Sequence, residues 1–329
     1  EMILVTGSAG VVEIVDPATL ETLGRIRFPF APETCGLNGV FASSDGSIVY
    51  VEGPIPSQPN VCGSLYSIEI GTWKMRVVAS VPGSPSRDSL VFSDGLVYPA
   101  PAFKTSGLTG DIRNSQLLLS PDGRWLFGVR SHRGPTVAVY DLLRGQTVGE
   151  LTPVGLEGDW WPSGTWSGER FYFHASTSDG ASRMWTVLPG AKELGEGVTV
   201  EPFGQLPGCA GPQSRRIVAA AGNIFIYELF GFKGDRRKDC AGKVPGGAWM
   251  IDPQTGRLIS QIAPDVYFSA LIRDRAQSTV YALAASGALL KIDARDGHIL
   301  KSRALGPGFL RIGMAPLRSV PAGDVVAMH

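Results

Sequence analysis

The stretch that decides the fold is GAWMIDPQTGRLISQI, residues 247–262. A short apolar run, GAWMI, precedes Asp252-Pro253, and a mixed apolar and polar segment, LISQI, follows it; short segments of this kind bounded by turn residues are typical of β-strands. Asp, Pro and Gly between the two segments favour a turn. The stretch therefore predicts two antiparallel strands joined by a short connection.

The same pattern recurs along the chain. It is found in GVVEIVDPATLETLGRIRF (10–28), GSLYSIEIGTWKMRVVASV (63–81), TVAVYDLLRGQTVGEL (136–151) and ALLKIDARDGHILKSRAL (288–305). Another hairpin precedes most copies, and GVFASSDGSIVYVEG (39–53) and SQLLLSPDGRWLFGVR (115–130) share a Ser-x-Asp-Gly turn. Each unit is then four antiparallel strands, a to d. Radial repetition of four-stranded sheets is the β-propeller.

We therefore predict an all-β fold in which residues 1–329 form a single β-propeller domain. Seven blades of four antiparallel strands are expected, with six as the alternative, and 89–103 is interpreted as the a–b hairpin of one of them. The N-terminal unit lacks strand a, so the C-terminal tail that starts at Phe309 is expected to complete it and close the ring. A β-sandwich or two small β domains are the alternative, but a sandwich gives no reason for the Asp turn to recur at about 40–50 residues.

Composition narrows the classes of partner. Thirty basic and 30 acidic residues cancel, so there is no electrostatic reason to expect nucleic acid or an anionic membrane. No apolar run reaches the roughly 18 residues that indicate a membrane span. The N-terminus EMILVTGS does not have the pattern of an intact signal peptide. The expected partners are a protein or a small-molecule ligand.

The four cysteines form two pairs in the sequence, and each pair flanks a similar predicted hairpin. Cys35 and Cys209 each precede a predicted strand a, whereas Cys62 and Cys240 each fall in the following b–c loop. Those two kinds of connection emerge on the same face of a propeller, so the repeat register favours Cys35–Cys62 and Cys209–Cys240 among three possible pairings. Each bond would add roughly 3 kcal/mol of stability and would indicate a periplasmic or secreted protein. Four buried free thiols in a cytosolic protein are the alternative.

The N-terminal MILVTGSAGVVEIVDPATLETLGRI resembles the YVTN type of propeller repeat. The chain from Gly246 to about 305 is similar to the propeller subunit of periplasmic amine dehydrogenases. The resemblance implies a propeller that carries no quinone or haem itself and docks a small quinone-bearing subunit and other electron-transfer partners. The middle of the chain departs from that family's pattern.

Polar and aromatic residues gather on the face that carries the cysteines. The predicted end of strand b holds Glu52, Arg130, His174 and Glu228 in successive units, and His132 lies just beyond one of these strands. The predicted d–a connections add Asp159, Trp160, Trp161, Arg215 and Tyr267. Carboxylates, Arg, His and aromatic rings around one concavity are typical of a small-molecule site. Ordinary packing of the tryptophans between blades, and a satisfied strand histidine, are the alternatives.

Two functions follow. The first is an extracytoplasmic propeller that binds a partner protein or a small ligand through its disulfide-stapled loop face. The second is an enzyme with its active site in the central funnel, a lactonase-like hydrolase or a metal-assisted lyase, supported by Glu52, Arg130, His174 and Glu228. A divalent metal bound in the funnel would favour this second function. The chain contains none of the common catalytic signatures such as H-E-x-x-H or G-x-S-x-G.

Overall fold

The structure of the chain is a computed structural model. It describes residues 1–7, 10–29, 37, 39–43, 45–56, 58–80, 90–93, 96–99, 116–130, 136–144, 146–153, 160–177, 182–200, 215–228 and 246–328. Every regular element within these ranges is a β-strand. No helix in the described part of the chain is long and apolar enough to cross a membrane.

Four of the sheets have four antiparallel strands each, arranged in chain order. The first contains β10 (Gln116–Leu119), β11 (Trp125–Arg130), β12 (Thr136–Asp141) and β13 (Gln146–Leu151). The second contains β14 (Trp160–Ser167), β15 (Arg170–Thr177), β16 (Ser182–Val187) and β17 (Val198–Thr199). The third contains β18 (Arg215–Ala220), β19 (Asn223–Glu228), β20 (Ala248–Ile251) and β21 (Leu258–Ile262). The fourth contains β22 (Phe268–Arg273), β23 (Thr279–Ala284), β24 (Ala288–Asp293) and β25 (Ile299–Ala304).

The two ends of the chain meet in a fifth sheet, whose order is β26-β1-β2-β3-β27. Its strands are β1 (Met2–Gly7), β2 (Val11–Val15), β3 (Thr22–Arg27), β26 (Phe309–Ala315) and β27 (Gly323–Val326). β26 pairs antiparallel with β1 and supplies the missing inner strand, while β27 adds to the outer strand β3 in parallel. The prediction that the C-terminal tail completes the N-terminal unit is confirmed.

The sixth sheet has the order β7-β6-β5-β4-β9-β8. Its strands are β4 (Gly39–Ser43), β5 (Ile48–Ile55), β6 (Gln58–Glu69), β7 (Met75–Ser80), β8 (Leu90–Ser93) and β9 (Leu96–Pro99). The hairpin β8–β9 matches the one predicted within 89–103, and β9 pairs in parallel with the inner strand β4.

The inner strands follow one another around a ring. β10 lies beside β14, and the order of neighbouring inner strands continues through β18, β22 and β26 to β4. β8 lies beside β10, so the β8–β9 hairpin occupies the position between β4 and β10. This arrangement of radial four-stranded sheets is a β-propeller, as predicted. The number of blades stays a prediction, because 81–89 and 100–115 lie outside the described residues.

The core consists of apolar layers between neighbouring sheets. Trp166, Phe127 and Phe171 pack between the β10–β13 and β14–β17 sheets, with ring centroids 4.5–5.2 Å apart. Similar layers lie at four further junctions of the ring. Because neighbouring sheets bury apolar faces against one another at these junctions, the hydrophobic effect holds the ring together as well as the individual sheets.

The recurring Asp of the repeat has a local structural role. In the turn after the third strand, a carboxylate oxygen of Asp252 accepts a hydrogen bond from the backbone N–H of Gln254 at 2.8 Å, and Asp293 accepts one from Arg295 at 2.9 Å. Hydrogen bonds that favour the ionised form lower the pKa of Asp293 to about 2. The Asp therefore recurs because it stabilises the c–d turn. Its recurrence indicates the repeated fold and not a functional site.

Candidate functional site

The ring has two distinguishable faces. On one, here called the loop face, the first (inner) strand of a sheet begins and its second strand ends, as at Arg215 in β18 and Glu228 in β19. On the other, the turn face, inner strands end, as at Ser167 and Arg273. Among the predicted site residues that the structure describes, Arg130, Arg215, Glu228 and Tyr267 lie at or next to strand ends on the loop face.

The edges of the inner strands β14 and β18 are joined by side chains. The backbone N–H of Ile217 donates to Ser163 Oγ at 3.3 Å, and the N–H of Ala219 donates to Thr165 Oγ1 at 3.1 Å. Both hydroxyls are buried. These bonds satisfy N–H groups at the strand edge that have no partner strand. They also fix the register between β14 and β18, in which Arg215 lies two residues nearer the loop face than Ile217.

Arg273 joins the same two strands, β14 and β18, at the turn face. Its Nη1 donates to the main-chain oxygen of Ala219 at 2.9 Å and also to that of Trp166, so one guanidinium joins β14, β18 and β22. Ser167 Oγ donates to Gln277 Oε1 at 3.0 Å nearby. Arg273 was not predicted from the sequence, where its signal was a charged residue at the end of the mostly apolar strand FSALIR.

His174 lies on β15, directly opposite Ser163 in the strand register. Side chains of paired residues share a face of the sheet, so His174 faces the β18–β21 sheet, as Ser163 does. Its ring is fully buried, and Nε2 lies 2.6 Å from Ser182 Oγ. Nδ1 is buried without a hydrogen-bond partner. An unsatisfied buried polar atom costs about 1–3 kcal/mol, so this nitrogen calls for an explanation.

Arg215 is the charged residue that acts on His174. It is the first residue of β18, it is buried, and its Cα pairs with that of Glu228. Burial, and after it the positive charge of Arg215, lower the pKa of His174 to about 3. The imidazole is therefore neutral near pH 7 and is a weak base. The structure thus places Ser182 against His174, with Arg215 as the charged group that acts on the imidazole. Ser182 was not named from the sequence.

An apolar layer lies beside this polar cluster. Tyr172, Met184 and Trp249 belong to one buried group between the β14–β17 and β18–β21 sheets, together with Ile217. Met184 pairs with His174 in the strand register. His174 and Ser182 thus lie between two sheets. The placement of His174 and Arg215 around the central funnel stays a prediction.

Several predicted positions are corrected by the strand boundaries. Trp160 and Trp161 are the first two residues of β14 and not part of the d–a loop, because they pair with Thr177 and Ser176. His174 is not at the end of its strand, since β15 continues to Thr177.

Cys62 was expected in a b–c loop. It lies instead within β6, opposite Pro54, because β5 and β6 extend as a long hairpin with register shifts near Gly53.

The other candidates are placed by their backbone. Arg130 and Glu228 end β11 and β19 as predicted, and Tyr267 directly precedes β22. Glu52 is half-buried on β5 and pairs with Gly39. His132, Asp159, Cys35, Cys209 and Cys240 lie outside the described residues, so their positions and the cysteine pairing stay predictions.

The described residues do not contain a group of three or more His, Cys, Asp or Glu side chains arranged to hold a metal ion. The positive charge of Arg215 beside His174 also disfavours a cation at that imidazole. The predicted divalent metal gains no support from this part of the ring.

Comparisons with known proteins bear on the fold. No model of a known protein family matches the chain, and no curated protein matches it either. Among solved structures, the dihydro-heme d1 dehydrogenase NirN, in complex with DHE, matches with a TM-score of 0.53 and 16% identity over 94% of this chain and 74% of that one. NirN is also a β-propeller protein, and at this identity the likeness shows the fold alone.

Two other solved structures have lower TM-scores. AztD from Citrobacter koseri matches with a TM-score of 0.44 and 14% identity, over 94% of this chain and 82% of that one. The designed protein Ika8 matches with 0.40 and 13% identity, over 93% of this chain and 73% of that one.

Proposed function

We propose that this protein is a ligand-binding β-propeller whose site opens on the loop face, between the β14–β17 and β18–β21 sheets. The observation that carries the proposal is the buried His174, whose Nδ1 has no partner although Nε2 is bonded to Ser182. Folded proteins seldom leave such an atom unsatisfied, and a bound ligand supplies the missing partner. Arg215 adds a buried charged group beside it.

The choice of face rests on the contrast between the two ends of the β14–β18 junction. At the turn face, Arg273 bonds to main-chain oxygens of both neighbouring inner strands. Toward the loop face, the hydroxyl-to-backbone bonds among the described side chains end at Ser163 and Ile217. A ligand that reaches His174 is therefore expected from the loop-face side.

A hydrolase is the second candidate, because a Ser–His contact of 2.6 Å is the geometry of a nucleophile and its base. Two observations favour binding over hydrolysis. The described residues place no carboxylate on Nδ1 to orient the ring and stabilise an imidazolium. Burial and Arg215 lower the pKa of His174 to about 3, so the imidazole accepts a proton poorly.

The location and the docking role are further proposals. Pairing of Cys35 with Cys62 and of Cys209 with Cys240 would support an extracytoplasmic protein, since stable disulfides form in oxidising compartments. The resemblance to amine dehydrogenase propellers supports a protein partner on the same face. Purification from the native host would test this role, because a docked subunit would co-purify with the chain.

Native mass spectrometry of the protein from its own host tests ligand binding. We expect a bound small molecule that is released on denaturation and is missing from the Arg215→Gln variant. Arg170→Gln is the matched control, because Arg170 is exposed at the turn-face start of β15. A ligand-free chain, or a ligand retained equally by both variants, would contradict the proposed site.

A further inference from the structure

We propose that residues 316–328 form a reversible latch, which closes the joint between the fifth and sixth sheets from outside and opens as one unit while β26 stays paired with β1. The latch follows β26 and includes β27. This inference concerns the closure of the ring and does not depend on the proposed ligand site.

The latch begins on the sixth sheet. Shortly after β26, the backbone N–H of Arg318 donates to the main-chain oxygen of Gly46 at 3.2 Å, in the turn between β4 and β5. The Arg318 guanidinium donates to Asp45 Oδ2 at 2.9 Å and to the Asp45 main-chain oxygen at 3.0 Å. Both side chains are exposed, so water competes for this anchor.

The latch then crosses to the fifth sheet and ends between the two sheets. β27 pairs in parallel with β3, and the Ala327 N–H donates to the main-chain oxygen of Arg27 at 2.9 Å. The Met328 N–H donates to the Trp73 oxygen at 3.1 Å, and the Met75 N–H donates to the Met328 oxygen at 2.5 Å. Because Met75 is the first residue of β7, this part of the latch joins β3 to β7.

Buried contacts give the latch a preferred closed position. Ala327 is buried in the apolar layer between the fifth and sixth sheets, and Leu317, Val320 and Val325 are partly buried against the same layer. These contacts are spread along the whole latch, so release of one part weakens the contacts of the rest. Opening uncovers the apolar layer and the outer edge of β3, which is then able to pair with another strand.

The latch is held more weakly than the inner closure of the ring. Three of the four residues of β27 are exposed, and so is the ion pair of Arg27 with Asp324. Exposed ion pairs contribute little to stability. β1, in contrast, is almost entirely buried and pairs with both β26 and β2. Segments with few buried contacts and exposed backbone bonds open locally, so we expect the latch to open before the β26–β1 pair.

Gly24 makes it possible to open the latch without altering the latch itself. A Cβ on Gly24 of β3 would lie 2.6 Å from the main-chain oxygen of Pro321 and 3.0 Å from that of Gly323, so alanine at this position pushes the middle of the latch away. Gly149 occupies the equivalent place on β13, since both glycines pair with the neighbouring strand at a register shift. A Cβ on Gly149 would have no heavy atom within 4 Å, which makes Gly149→Ala the matched control.

Hydrogen exchange of the full chain, followed by nuclear magnetic resonance, tests the proposal. We expect the amides of Arg318, Ala327 and Met328 to have similar protection factors, at least about tenfold lower than those of β1. Gly24→Ala is expected to lower the protection of the latch at least about fivefold and to leave β1 unchanged, whereas Gly149→Ala changes neither. Latch protection equal to that of β1, separate opening of Arg318 and Ala327, or equal effects of the two variants would overturn the proposal.

A second pair of variants covers the case in which Gly24→Ala fails to fold. Ala327→Asp places a charge in the apolar layer, and we expect the protection of the latch to fall at least about tenfold while that of β1 is kept. Val326→Asp is the control, because Val326 is exposed and the change should alter protection by less than about twofold. A parallel loss of protection in β1 would show that the latch opens only with the ring and would overturn the proposal.

Discussion

Arg273 and Trp166 are 107 residues apart in sequence, yet the Arg273 guanidinium donates to the Trp166 main-chain oxygen. The same Nη1 also donates to the Ala219 main-chain oxygen at 2.9 Å. Three inner strands are thus tied together at the turn face by one buried side chain. Such a bond forms only when the sheets are assembled as a ring, so it reports on the ring as a whole.

Loss of this guanidinium should destabilise the ring. In Arg273→Met the apolar stem is retained, but the two main-chain oxygens lose their donor, and we expect a loss of about 2–4 kcal/mol in the free energy of unfolding. Urea unfolding at neutral pH measures it, with Arg170→Gln as the control that changes stability by about 0.5 kcal/mol or less. A loss as small as that of the control would show that the oxygens find other donors.

Stability should depend on the protonation of His174. Its pKa falls from 6.5 to about 3 in the folded protein, so between these values the unfolded chain binds more protons than the folded one. Stability therefore falls as the pH is lowered through this range, with a slope from this group that reaches about 1.4 kcal/mol per pH unit.

The variant His174→Asn removes this titration and should flatten the slope between pH 6 and about 4.5, a window above the range in which the lowered carboxyl pKa values act. Unfolding in urea at several pH values measures the difference. Equal slopes for the two proteins would mean that His174 is not held neutral by its surroundings.

Two glycines with the same turn sequence should respond differently to substitution. Gly46 and Gly123 occupy the Ser-x-Asp-Gly turns and have φ of +71° and +72°. A Cβ on Gly46 would lie 1.7 Å from the main-chain oxygen of Pro316, whereas a Cβ on Gly123 would have no heavy atom within 4 Å.

We therefore expect Gly123→Ala to cost about 1 kcal/mol, for the positive φ alone. Gly46→Ala should cost at least about 1–2 kcal/mol more, because the C-terminal segment after β26 must move. Thermal or urea unfolding of the two variants gives the comparison. Similar losses in the free energy of unfolding at both positions would mean that the segment at Pro316 moves aside without destabilising the fold.

The cysteine pairing can be read directly. Non-reducing peptide mapping should find Cys35 joined to Cys62 and Cys209 joined to Cys240, and Cys35→Ser should free one thiol and lower stability by roughly 3 kcal/mol. A bond between Cys35 and Cys209 or Cys240, or unpaired cysteines, would show that the repeat register around Cys35 is wrong.

Much of the fold could be predicted because its signals are local. In four of the c–d turns an Asp accepts hydrogen bonds from backbone N–H groups within a few residues, so its role can be inferred from the local sequence. Strand ends were less predictable. Trp160 and Trp161 are placed in β14 by pairing with β15, since aromatic residues suit a strand once a partner edge is present.

The candidate site was predictable only in part. His174 and Arg215 were both named from the sequence, but their relation was not, because it depends on how β14 is set against β18. Ser182 attracted no attention, since serine is common near strand ends. Its significance comes from the 2.6 Å contact with His174 Nε2 on the neighbouring strand.

The sequence by itself determined the period of the strands, the turns that join them, the repetition of the sheets and the completion of the first sheet by the C-terminal tail. These features follow from backbone chemistry and hydrophobic alternation over about 10–40 residues. Tertiary structure alone decided that His174 contacts Ser182 and is under the influence of the Arg215 charge, and that Arg273 donates to Trp166 and Ala219. The physical reason is that Arg215 acts on His174, and Arg273 on Trp166 and Ala219, from a different sheet, and side chains of different sheets approach one another only after the ring has closed.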